Sequence, residues 1–424
     1  MKQYIVNNLS GGTLPKKQIY IVSKLFEVEE IRMKKQFIVA GMIVVLLVVG
    51  LSGCTDFPDY DGDGNGDDGD NGGDGGNGGD NGYDTDDWVI ETVDSPTSSG
   101  TSVGTYSSID IGSAAKPHIA YYSYQDGDLK YAKQITPNHW ETETADSNGS
   151  VGRYVSMDLD LADNAHIAYY YHGFNYNGKA MYAHWDGSSW MVETIDEGGD
   201  IGYYTSIAVD TYYYTPHVAY MDGTNYLLKY AKRTGPGSWD ITTIDTLEGY
   251  ADISIALDSN NYPHIAYYDS YNRHLRYARY DGNVWHTEVV DSEDAVGDYC
   301  SIALDEDDDV HIAYNDLVYS AMKYATAPIG TSLWDIQQAS QVGDGGDGHY
   351  TSIDIGPYDK VHISHWDYFD SQLKYTYYDG ALWHTKTVAN NVDHYTSIAV
   401  DPYGTPYISY YDTGDNSLKC AYLT

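Results

Sequence analysis

Serine, histidine and aspartate recur in this chain in numbers that invite a catalytic reading. Serines stand at Ser108, Ser156, Ser206, Ser254, Ser301, Ser352 and Ser397. About ten residues after each of the first six comes a histidine, at His118, His166, His217, His264, His311 and His362, while the seventh copy has Tyr407. Asp160, Asp210, Asp258 and Asp305 lie shortly before four of these histidines. In a triad, a histidine oriented by a carboxylate takes the proton of an attacking hydroxyl. Seven such centres in one chain make no chemical sense. The repeated residues therefore read as framework, buried polar groups that must find hydrogen-bond partners. The base that recurs at Lys130, Lys229, Arg276, Lys323, Lys374 and Lys419 reads the same way, as a partner for acids between neighbouring units.

The elements that carry these residues are short strands. Residues 253–290 hold four alternating β-branched and aromatic runs bounded by Gly, Asp, Asn or Pro, the pattern of half-buried strands between turns. The last run of each copy carries a tryptophan, at Trp88, Trp140, Trp190, Trp239, Trp285, Trp334 and Trp383, spaced by 46 to 52 residues. Four strands per period of this length predict the blades of an all-β, seven-bladed β-propeller. A solenoid is the structural alternative, but no capping repeats appear. The repeats begin on a fourth-strand copy and end on a third-strand copy. Residues 88–93 should therefore pair beside 418–421, complete the last blade and leave no open edge. A monomer is expected.

Function is sought where the copies disagree. With the first strand innermost, its start opens one mouth of the central channel. The pairs there are Thr105-Tyr106, Arg153-Tyr154, Tyr203-Tyr204, Ala251-Asp252, Asp298-Tyr299, His349-Tyr350 and His394-Tyr395. A ring of tyrosines offers faces for stacking and hydroxyls for hydrogen bonding, which suits a glycan or a peptide, although simple blade-to-blade packing would also explain it. Blade two deviates most. It carries Arg153, replaces the third-strand base by Met181, and has an insertion with His172 and Tyr176. Arg153, His172 and Tyr176 are expected to meet over one sector of the mouth and hold an anionic or sugar-like ligand. The binding set is thus Arg153, Tyr154, His172, Tyr176, Tyr204, Tyr299, His349, Tyr350, His394 and Tyr395.

Three resemblances refine this. The Ser, His, Asp and Trp of each copy resemble the hydrogen-bonded tetrad of the Trp-Asp-repeat propellers. The turns Asp281–Trp285 and Asp379–Trp383, and Asp186-Gly187 before Trp190, resemble degenerate Asp-box turns of the sialidase-like propellers, which join third and fourth strands. Sialidase chemistry implies an arginine trio. From residue 54 onward the arginines are Arg153, Arg233, Arg273, Arg276 and Arg279; the last three fall in one blade, so that carry-over fails. Propeller polysaccharide lyases use Tyr and His; Tyr154, His349 and His394 would be the catalytic candidates. A passive surface scaffold is the third alternative to a binding module.

The N-terminal part addresses the chain. Met33-Lys34-Lys35, an apolar run over residues 37–51 and Leu51-Ser52-Gly53-Cys54 form an export signal, with Met33 a candidate start. The run is shorter than the ~20 residues a membrane span needs. Leu51–Cys54 resembles the lipobox of prokaryotic lipoproteins, which implies lipidation of Cys54 and attachment to the outer face of the cytoplasmic membrane, or to the outer membrane of a diderm cell. Residues 1–53 are thus the signal, 54–87 an Asp/Gly/Asn-rich tether of roughly 30 Å reach, and 88–424 the propeller. Within the tether Asp59, Asp61, Asp63, Asp67 and Asp70 have the spacing of a calcium loop without its flanking helices, so calcium is the one cofactor the sequence offers and none is required. The formal charge of −40 argues against nucleic acid. With 46 tyrosines the chain has ample material for a core. Cys300 and Cys420 fall in blades five and seven and are expected to be buried free thiols.

Overall fold

The computed structural model describes residues 88–173, 175, 177–340 and 347–424. The signal segment, Cys54, the tether with its aspartates, and Tyr176 lie outside the described residues.

β1 (Trp88–Asp94) is followed by β2 (Val103–Ile111), β3 (Pro117–Ser123), β4 (Asp128–Thr136) and β5 (His139–Asp146), which form the antiparallel sheet of blade one in that order. Blades two to six repeat it with β6–β9 over residues 151–196, β10–β13 over 201–246, β14–β17 over 253–291, β18–β21 over 296–338 and β22–β25 over 349–390. β26 (Val392–Val400), β27 (Pro406–Asp412) and β28 (Ser417–Leu423) make three strands of blade seven, and β1 is its fourth. Trp88 lies opposite Leu423 and Ile90 opposite Ala421, so the ring of seven blades closes as expected.

Burial follows from this stacking. Every residue of β3 is buried, because a second strand is covered by sheets on both faces, whereas β5 at the rim is mostly exposed. The apolar clusters accordingly run between blades: Leu275 and Tyr277 of blade four pack with Val296, Ile302 and Ile312 of blade five.

The repeated polar residues are framework, but not as one tetrad. Each serine Oγ accepts a backbone N–H from the first strand of a neighbouring blade: Met157 to Ser108, Ile207 to Ser156, Ile255 to Ser206, Ile302 to Ser254, Ile353 to Ser301, Ile398 to Ser352 and Ile109 to Ser397, all at 3.0–3.2 Å. This belt stitches the inner strands into one ring. The histidines turn away from it. Each Nδ1 meets a third-strand tyrosine hydroxyl, as in His118–Tyr131 at 2.6 Å and His362–Tyr375 at 2.7 Å. Asp305 approaches the Nε2 of His311 at 3.1 Å, but the corresponding aspartates in blades two to four stay 3.6–3.9 Å away. The tryptophans reach yet another partner. Trp140, Trp190, Trp334 and Trp383 donate to Glu91, Glu143, Glu288 and Gln337 in the outer strand of the preceding blade. Hydroxyl, imidazole and indole sit at increasing radius in the sheet, which is why they cannot share one network.

Of the third-strand bases, Lys229, Arg276 and Lys323 bridge blades through Asp196, Asp245 and Asp291, while Lys130, Lys374 and Lys419 pair with Asp126, Asp367 and Asp415 of their own blade. Asp186, Asp281 and Asp379 do sit in turns between third and fourth strands, each accepting two backbone N–H groups of its own turn. Cys300 and Cys420 are free and buried, as expected.

Candidate binding site at the channel mouth

The innermost strands begin with an irregularity that builds the mouth. In β2 the pairing with β3 slips between Val103 and Thr105 and again between Thr105 and Ser108. Gly104 starts this bulge at φ 100°, where a Cβ would lie 2.7 Å from the Cα of Leu418 in the adjacent blade, so only glycine fits. Two residues on, Tyr106 takes φ 54°, a left-handed conformation that aromatic residues rarely adopt. Tyr154, Tyr204, Tyr299, Tyr350 and Tyr395 repeat it at φ 50–64°. The bulge re-aims each tyrosine toward the channel.

The six rings touch in sequence. Tyr204–Tyr154, Tyr154–Tyr106, Tyr106–Tyr395, Tyr395–Tyr350 and Tyr350–Tyr299 have centroid separations of 4.8, 5.0, 4.0, 4.8 and 4.3 Å. They line an open cavity of about 480 Å³ together with Ser107, Thr205, Thr351 and Thr396. Both readings of the tyrosines are therefore realised at once: they pack blade to blade, and they face a cavity. Burial pushes the hydroxyls of all six upward, so they stay protonated and act as hydrogen-bond donors.

The arc is broken at blade four. Its first strand, β14, has only five residues and pairs with β15 without any slip. With no bulge there is no tyrosine, and Asp252 stands at that place beside Asp298 of blade five. Asp252 accepts the N–H of Tyr299 at 2.9 Å and shares a hydrogen bond with Asp298. Burial pushes both carboxyls up. The neighbouring Asp252 charge adds to this at Asp298, which is raised to about 9. The pair thus holds a proton at neutral pH. Sequence reasoning placed both residues at the mouth without selecting them; the available signal was that Asp252 is the one copy in which the tyrosine is lost.

The other expected residues fall into separate sectors. Arg153 reaches back to blade one, with its guanidinium carbon 5.7 Å from the ring centres of both Tyr122 and Tyr124. His172 is exposed on the blade-two hairpin, and its ring neighbour is Tyr170, whose hydroxyl bonds Asp200 at 2.5 Å on the side of blade three. Among the described residues no contact joins Arg153 to His172. His349 and His394 do come together, packing on Trp366 at 6.1 and 4.7 Å and on Tyr299 and Tyr350, respectively, at 5.1 Å each. Tyr154 does not join them; its ring neighbours Tyr106, Tyr170, Tyr203 and Tyr204 belong to blades one to three. The far end of the channel is a second cavity of about 570 Å³ with a different lining: seven acids, Asp110, Asp158, Asp258, Asp305, Glu306, Asp308 and Asp354, among aliphatic and small polar residues, and no aromatic ring. Burial pushes the carboxyls of Asp110, Asp158 and Asp354 up as well, the last to about 7.

No family model and no curated protein matches the chain. Solved structures do. A protein of unknown function from Dyadobacter fermentans is 12% identical with a TM-score of 0.50 over 79% of this chain and 97% of its own. The Aleuria aurantia lectin, in complex with α-methyl-L-fucoside, is 11% identical with a TM-score of 0.47 over 68% of this chain and 94% of the lectin. The polysaccharide lyase Uly1 is 10% identical with a TM-score of 0.48 over 75% and 89%. At these identities the likeness is one of fold, and the chain is a seven-bladed β-propeller.

Proposed function

We propose that this protein is a binding module that takes a glycan at the tyrosine-ringed mouth, held outside the cell by a lipid on Cys54. The carrying observation is the arc of six tyrosines around an open cavity of about 480 Å³. The rings supply stacking faces, and their protonated hydroxyls, together with Ser107, Thr205, Thr351 and Thr396, supply hydrogen bonds. That mixture matches the alternating C–H faces and hydroxyls of a sugar better than a peptide side chain, which would need an apolar anchor pocket. The lectin and the lyase share the fold at a likeness that bears on fold alone, so the reading rests on the mouth. Its placement outside the membrane rests on the signal, the Cys54 motif and the acidic tether.

A glycan array probed with the full chain tests this. Binding to a discrete set of glycans, weakened at least tenfold by Tyr154→Ala and by Tyr395→Ala with circular dichroism unchanged, is the expected outcome. Binding that survives both substitutions would move the site away from the mouth, and silence across the array would end the glycan reading.

A further inference from the structure

Arg153 is out of place in its surroundings. The chain has 63 acidic against 23 basic side chains, so carboxylates are abundant. Arg233, Arg273 and Arg276 each sit within 3.1 Å of one. Among the described residues Arg153 pairs with none, although it is half-buried, and its Nε is buried without a hydrogen-bond partner. Among the described residues Arg279 also has no carboxylate in reach, but it lies opposite His264 in the sheet, at the end of the blade away from the tyrosine mouth.

Arg153 sits where blade two meets blade one. Tyr122 and Tyr124 flank the guanidinium, their rings 4.9 Å apart in an edge-to-face arrangement. The Tyr122 hydroxyl is shared with Ser150 Oγ at 3.2 Å, and Tyr124 stays half exposed. Tyr106, at 6.3 Å from Tyr122, connects this group to the tyrosine arc. The guanidinium is thus met by the two rings and the Tyr122 hydroxyl and by no carboxylate among the described residues. Arg153 keeps part of its surface in water and no carboxylate among the described residues competes for it, so an anion brought by a ligand can reach it.

We infer that Arg153 and the exposed ring of Tyr124 form an acidic-sugar subsite, in which the guanidinium fork receives a carboxylate and Tyr124 stacks on the ring that bears it, while the buried Tyr122 holds the arginine in place. A planar carboxylate matches the fork with two parallel charge-assisted hydrogen bonds, which lysine cannot reproduce. This assignment rests on the proposed glycan binding at the mouth and adds the class of glycan: a uronate-bearing chain. It also moves the blade-two site from the insertion around His172 to the opposite face of the blade.

The test compares oligogalacturonate and alginate oligosaccharides with their methyl esters, which keep the shape and remove the charge, by titration calorimetry on the full chain. The expected result is uronate binding that falls roughly tenfold or more for the ester, for Arg153→Gln and for Arg153→Lys, with affinity declining as salt rises. Tyr124→Ala, at an exposed position, should weaken acid and ester alike. Equal binding of acid and ester, or binding indifferent to Arg153→Gln, overturns the uronate assignment while glycan binding stands. Array binding confined to neutral or sulfated glycans does the same. Binding of no glycan overturns both.

Discussion

Beside the β1–β28 ladder, the seam of the ring concentrates four hydrogen bonds on one carboxylate, and removing it tests the architecture. Glu91, on β1, is 1% exposed and accepts four hydrogen bonds at 2.8–2.9 Å, from Trp140 Nε1, Gln134 Nε2, the Asn138 N–H and the Tyr422 hydroxyl. Three of these donors belong to blade one and one to blade seven, so this side chain ties the terminal strand to both sides of the seam. In Glu91→Ala all four lose their acceptor. Asn138 is exposed and the half-buried Tyr422 has a hydroxyl that can rotate, so both can turn to water, whereas Gln134 is buried and the indole of the half-buried Trp140 is fixed in the sheet. Two hydrogen bonds to a charged acceptor contribute about 1.5–3 kcal/mol each. Releasing the carboxylate from its desolvated site offsets part of that. The expected net loss is about 3 kcal/mol, a substantial share of the ~5–15 kcal/mol of a typical domain. Glu143→Ala is the matched control. It removes the same kind of indole acceptor, 3.0 Å from Trp190, at an exposed position between blades one and two, and should cost at most about 1 kcal/mol. Urea unfolding followed by tryptophan fluorescence reads both. Opening the seam also bares the edges of β1 and β28, so Glu91→Ala should show concentration-dependent self-association by size exclusion. If the two variants unfold at the same urea concentration, Glu91 does not hold the seam and the closure argument loses its energetic basis.

Two pH effects follow from the buried ionisable groups. Burial lowers His118, His166 and His217 to about 4, and His362 and His365 to about 3. A depressed folded value means that their contribution is complete above the unfolded pKa of ~6.5 and is lost as pH falls toward 4 and 3. Each can steepen the decline by up to about 1.4 kcal/mol per pH unit in that window. Urea midpoints should therefore drop from pH 7 to pH 4, and a flat profile would mean that the histidines protonate freely in the folded ring. Asp298 has the opposite sign. Its folded value is raised to about 9, so its contribution is present below ~4 and is lost as pH climbs through 9. Asp298→Asn should remove part of the decline in stability between pH 5 and pH 9, and parallel profiles for the two proteins would show that the pair with Asp252 holds no proton.

How much of this could be read from the sequence depends on whether a feature is periodic. Blade number, strand order and closure were legible because Trp88, Trp140 and their equivalents mark the same place seven times, and burial on both faces forces the same alternation in each copy. The framework role of serine and histidine was legible for the same reason, but their partners were not. Ser108 bonds along the ring and His118 bonds along the blade, and strand spacing alone carries no information on radius. Glu91 was invisible because Glu143, Glu193 and Glu288 share its position in the repeat; only the blade-seven seam buries it.

The mouth shows the limit most clearly. Arg153 was legible as the misfit of its ring, yet its direction was not, since it follows the slip in register that the left-handed Tyr154 imposes on β6. A strand in regular register places side chains on alternating faces, and the insertion carrying His172 would then be a natural partner. The bulge cancels that inference. By aiming Tyr154 at the channel, it leaves Arg153 facing Tyr122 and Tyr124 of the previous blade. The same device, absent from blade four, explains why Asp252 replaces a tyrosine there and finds Asp298 beside it. One backbone irregularity, present in six blades and missing in one, thus accounts for the aromatic arc, for its gap and for the place beside Tyr122 and Tyr124 where Arg153 stands without an acid.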